Sequence, residues 1–264
     1  MNRTRLRWCH WASFGCSDRW IAVAVVVVAA TVVAVWNGHI LRPWAGPGFT
    51  PVLPLSLVFA AGAGMRMLGT APRDLRAWRS VYAVLGLLFG AVFAWFVITV
   101  GPSTEGVAFL VGALEEEIVF RLALPLASGG AVAIILGRPG SNPAQWGRAP
   151  VAVALVIAGV AFVVMPGHLS QMDNALAAIP FAATALLFTY IVLRTGALLP
   201  GVLAHATLNL ATVCFLSEAL PRTAWSLVVI AVLATYALGA EHAGRRLGYL
   251  VSADRAATPA LARA

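Results

Sequence analysis

The chain has 264 residues, 61% of them hydrophobic and 11% charged, with a mean hydropathy of +0.88. Soluble domains carry about 25% charged residues, so a soluble globular protein is excluded and an integral membrane protein remains, with little room for a separate soluble domain. The net charge of +8 at pH 7 does not indicate nucleic acid, because the basic residues are all arginines and they flank apolar segments as topology signals do.

Residues 1–19 read as a basic cytoplasmic segment. The apolar run Trp20–Trp36 that follows is 17 residues long, longer than the core of a signal peptide, and no small-x-small cleavage site follows it; it is expected to be an uncleaved first span. In all, eight apolar segments are expected, at about 20–36, 51–68, 81–100, 106–126, 150–167, 174–193, 198–216 and 224–240. Each approaches the length a spanning helix needs, and no run alternates as a barrel strand would. The expected fold is therefore an all-α polytopic membrane bundle of about eight helices, with a membrane domain over 20–247 and a disordered cytoplasmic tail over 248–264.

The arginines set an orientation. With the N-terminus in the cytoplasm, Arg3, Arg5, Arg7, Arg19, Arg66, Arg73, Arg76, Arg79, Arg138, Arg148, Arg194, Arg245, Arg246, Arg255 and Arg263 all fall inside, and only Arg42 and Arg222 outside. Both termini are then cytoplasmic. The longest connection, Gly137–Ala149, is rich in Gly, Pro and Asn as a turn-forming loop should be. Cys9, Cys16 and Cys214 have no paired spacing, so no disulfide framework is expected; Cys214 reads as a small core residue.

Charged residues are costly inside a bilayer and mark functional sites by default. The fourth segment carries Glu115, Glu116 and Glu117, with Arg121 one turn later. Glu117 and Arg121, four apart, lie on one helix face in the orientation that favours an ion pair. Glu116 is rotated about 100° from Glu117, so one acid can be neutralised while its neighbour faces elsewhere, and Glu115 is expected on a wetter face. A packing ion pair is the plainer reading, but it needs one acid rather than three. His168 ends the fifth segment, where a histidine is commonly interfacial or capping. His205 and Asn209 share one face of the seventh helix, where His and Asn also serve to join helices. Together these residues are the parts of a hydrolytic site: a carboxylate to take a proton from water, a histidine to share that water or protonate the leaving amine, and N–H donors for a developing oxyanion.

The set resembles the CPBP (CAAX protease and bacteriocin-processing, Abi) family of intramembrane endopeptidases, over about residues 106–212. Its pattern is Glu-Glu-x-x-x-Arg, Phe-x-x-x-His and His-x-x-x-Asn or Asp. Glu116-Glu117-Ile118-Val119-Phe120-Arg121 matches the first motif and His205-Ala206-Thr207-Leu208-Asn209 the third, preceded by Leu199-Pro200-Gly201. His168 supplies the second, with Val164 where phenylalanine is expected. The resemblance implies that Glu116, assisted by His168, activates water, that Glu117 and Arg121 hold geometry and charge, and that His205 and Asn209 form an oxyanion hole. It implies no cofactor and a peptide or protein substrate that is lipidated or membrane-bound; the lysine-free composition suggests a bacterial cell membrane as the location.

Two other readings stay open. Glu116, His168 and His205 offer two histidines and a carboxylate to zinc, although His-Glu-x-x-His is absent. The polar core could also belong to a non-enzymatic immunity or scaffold protein. The oligomeric state is not legible. The topology also places Glu116 near mid-membrane and His168 at the outer end of its span, so they meet only if the fifth helix starts earlier or is displaced, or if the chain around Pro166 re-enters.

Overall fold

The computed structural model describes residues 19–36, 72–138, 143, 146–165, 168, 176 and 178–247. Their apolar segments fold as seven helices, with no strand among the described residues. These are α1 (Arg19–Trp36), α2 (Pro72–Thr99), α3 (Ser103–Ile135), α4 (Arg148–Val163), α5 (Ala178–Thr195), α6 (Leu199–Leu216) and α7 (Arg222–Arg246). Five of them, α2, α3, α5, α6 and α7, are long and apolar enough to cross a membrane. The seven helices correspond to seven of the eight expected segments; the remaining one, 51–68, lies outside the described residues, as do Cys9, Cys16 and the tail over 248–264.

Proline and glycine set the boundaries. Pro102 and Pro221 cap the starts of α3 and α7, and Pro200 lies in the first turn of α6, where a missing N–H costs nothing. Gly196 closes α5 at φ 69°, its N–H bonded to the Val192 carbonyl at 2.7 Å. Only a residue without Cβ takes that conformation cheaply, and it lets α5 turn directly into α6.

α3 is the axis of the bundle. Its 33 residues, at 1.5 Å per residue, span roughly 50 Å, more than the ~30 Å hydrocarbon core. Its first half packs on α2 and α6, its second half on α1 and α4, and its middle against α1, α4 and α5. α7 closes the other side against α2, α5 and α6. Small residues at the crossings, Ala113 and Ala123 on α3 and Gly201, Ala204 and Ala211 on α6, are buried; this is how helices approach closely in a membrane. Trp78, Phe96, Phe188 and Tyr236 fill the wider gaps. Cys214 is fully buried and packs with Val92, Phe96, Leu210 and Ala211, as its sequence context suggested.

Candidate active site

The acids lie at the middle of α3, where the helix changes its winding. Ser103–Glu117 is α-helical, Ile118–Ala123 forms a π turn, and α-helix resumes at Leu124–Ile135. Pro125 explains the change. It has no N–H for the Arg121 carbonyl, and its ring would clash there. The ladder loosens, and the Leu124 N–H reaches back five residues to the Val119 carbonyl. Such turns recur at functional sites. Every residue from Glu117 to Ala123 is buried.

Five of the six expected site residues converge on this turn. Glu117 Oε1 accepts a hydrogen bond from His205 Nδ1 at 3.0 Å and lies 3.5 Å from Arg121 Nε. Glu116 Oε2 lies 3.5 Å from His205 Nε2 and 4.0 Å from His168 Nε2. The two adjacent glutamates therefore do not face apart, as helix geometry suggested; they hold the two nitrogens of one imidazole. They differ in access. The Glu117 side chain is 0% exposed and that of Glu116 26%, although the Glu116 oxygen beside the histidines, Oε2, is itself buried without a hydrogen-bond partner.

His168 is held by its other nitrogen. Its Nδ1 lies 2.6 Å from the Phe162 carbonyl oxygen. A carbonyl only accepts, so Nδ1 carries the proton and donates, and in the neutral ring Nε2 is left as an acceptor facing Glu116. Two acceptors 4.0 Å apart do not bond to each other directly.

This contact also answers the question of depth. α4 starts at Arg148 and stops at Val163, four residues before the expected end of the fifth segment at 167. It stops ahead of Pro166, which disfavours helix in the residue before it. Beyond the helix His168 lies beside Phe162, its backbone N–H bonded to the Met165 carbonyl at 2.9 Å. Val164, in the place of the motif's phenylalanine, is 52% exposed at the end of α4. The aromatic neighbours of His168 are Phe162 and Phe181, with ring centroids 4.1 and 5.0 Å away.

Arg121 is 1% exposed. Besides Glu117 it has aromatic faces as partners: its guanidinium carbon lies 4.3 Å from the Phe162 centroid and 5.9 Å from that of Phe188. Such contacts stabilise a desolvated cation. Asn209 stands one turn beyond His205, half-buried, and no hydrogen bond or ion pair joins it to the other five among the described residues. Glu115, expected on a wetter face, is instead buried and has an interaction partner. No group of three His, Cys, Asp or Glu among the described residues is arranged to hold a metal ion.

Motif reading missed Tyr236 and the purpose of Gly201. A Cβ at Gly201 would lie 2.9 Å from the Tyr236 hydroxyl and 3.0 Å from Glu117 Oε2. Glycine here lets the acid and the phenol reach the backbone of α6. Gly201 follows Leu199-Pro200 in the motif region; Tyr236, on α7, had no signal in the sequence.

Fold and site together define a multi-pass helical membrane protein with a buried cluster of carboxylates, histidines and an arginine at the middle of its central helix. Residues 103–211 match the family model described as type II CAAX prenyl endopeptidase Rce1-like, a family of proteases within the CPBP/CAAX group that the motifs suggested. The match takes in every expected site residue and ends before α7. Neither a curated protein nor a solved structure matches the chain significantly.

Proposed function

We propose that the protein is a glutamate-dependent intramembrane endopeptidase that hydrolyses a peptide bond of a membrane-associated protein or peptide. One observation carries this reading: the Nε2 atoms of His168 and His205 both face one carboxylate oxygen of Glu116, at 4.0 and 3.5 Å, an oxygen that is buried and lacks a hydrogen-bond partner. A water held there would lose a proton to Glu116 as its oxygen attacks the scissile carbonyl. The negative charge that forms on the carbonyl oxygen would be met by N–H donors from His205 and Asn209. With Nδ1–H of His205 given to Glu117, an N–H at Nε2 means the doubly protonated ring, paired with the two carboxylates. As the C–N bond breaks, the proton taken from water passes to the leaving amine, through Glu116 or His168. Glu117 and Arg121 hold His205 in register and touch no substrate.

The substrate is a lipidated or membrane-bound peptide or protein, reached within the bilayer. On the arginine distribution, the chain has eight spans with both termini in the cytoplasm, in a bacterial cell membrane. No cofactor enters the reaction. Cleavage of a peptide library by the purified protein in detergent, with and without exhaustive chelation, tests this directly. Cleavage unaffected by chelation is expected. Loss on chelation, restored by zinc, would replace the proposal with a zinc peptidase. No cleavage by the folded protein, with a lipidated library included, would favour an immunity or scaffold role.

A further inference from the structure

The first-motif acid Glu117 has only one of its oxygens accounted for by the residues above. Oε1 serves His205 and Arg121, while Oε2 is buried without a hydrogen-bond partner. The Tyr236 hydroxyl is likewise fully buried and without a partner. The two oxygens flank one point on α6, the missing Cβ of Gly201, at 3.0 and 2.9 Å, and Glu117 and Arg121 are the charged neighbours of the phenol. A buried donor and a buried acceptor each carry a substantial cost when unpaired. They do not bond directly, and since both lie within 3.0 Å of one point they are close enough for one bound water to bridge them. The Tyr236 ring is fixed independently, against Phe188 at 4.6 Å and Trp78 at 6.5 Å between centroids.

We propose that Tyr236 is a positioning residue of this site: its hydroxyl donates, through one bound water, to Glu117 Oε2 and so fixes the carboxylate that orients His205. The site would then extend to α7, beyond residues 103–211. The catalytic consequence rests on the peptidase reading; the hydrogen bond does not.

Tyr236→Phe in the full-length protein tests it, since phenylalanine keeps the ring and removes only the hydroxyl. Infrared difference spectra of wild type against Tyr236→Phe are expected to show a shifted carboxylate stretch that is absent when both proteins also carry Glu117→Gln. On a cleaved peptide, kcat is expected to fall about tenfold with KM unchanged, the effect of one lost hydrogen bond to a charged group. No carboxylate shift, or the same shift in the Glu117→Gln background, would overturn the proposal. The spectrum needs no turnover, so this failure is separable from failure of the peptidase reading: a shift without cleavage would sustain the hydrogen bond and count against the enzyme.

Discussion

Glu117→Gln isolates the charge that balances Arg121. The substitution keeps the shape of the side chain and an oxygen for His205 Nδ1, but it leaves the guanidinium, 1% exposed, without the counter-ion in contact with it, Glu116 remaining as a weaker one. Breaking a buried pair in this way costs about 3–5 kcal/mol. The geometry here points to the lower end, because the contact is a single one of 3.5 Å and the Phe162 and Phe188 faces continue to stabilise the cation. A loss of about 3 kcal/mol corresponds to roughly 6–12 °C in Tm for a chain of this size. Adding Arg121→Met removes the stranded charge, so the double variant should be more stable than Glu117→Gln alone. Thermal unfolding of the four proteins in one detergent measures this cycle. A Glu117→Gln loss below about 1 kcal/mol, the range of exposed pairs, or strictly additive losses in the double variant, would refute the buried ion pair.

Three further outcomes are expected. Pro125→Ala restores the missing N–H and should let α3 wind as α-helix through Ile118–Ala123, turning Arg121 and the glutamates out of register; a displacement of about 1 Å costs about 10²-fold in rate, measured as kcat with folding checked by circular dichroism. Asn209→Ala should lower kcat by about 10²–10³-fold, as loss of an oxyanion donor does, with little change in Tm, since Asn209 has no bond to the other site residues. Gly129→Ala would set a Cβ 2.5 Å from the Trp146 ring and 2.8 Å from the Pro150 carbonyl oxygen; overpacking of about 1–3 kcal/mol should lower Tm while kcat of the folded fraction stays near wild type.

Helices were legible in the sequence because a bilayer demands long apolar runs, and the arginines between them punctuate those runs. The site residues were legible for the converse reason: Glu116, Glu117, Arg121, His168, His205 and Asn209 are polar where polarity is costly, and their spacing repeats a family pattern. What was hidden depends on departures from regular winding or on contacts between distant segments. A regular helix turns Glu116 and Glu117 apart, and only the bundle around α3 brings both to His205. Val163, Val164 and Met165 continue the apolarity of the fifth segment toward residue 167, whereas the helix stops at Val163 and leaves His168 beyond it beside Phe162. The charge of Glu115 favours a wetter face, and the packing buries it instead. Tyr236 looks like any aromatic residue of an apolar helix until α7 is set against Glu117, 119 positions away in the sequence.

The most direct measurement is the kcat of Glu116→Gln against wild type on a cleaved peptide, with both proteins shown to be folded by thermal unfolding. The substituted amide would keep the size of the side chain and its place beside His168 and His205, but it would take no proton from water. A loss of at least about 10²-fold, the lower range for removal of a general base, with Tm near wild type is the predicted result. Wild-type cleavage by the folded variant would contradict a water activated by Glu116.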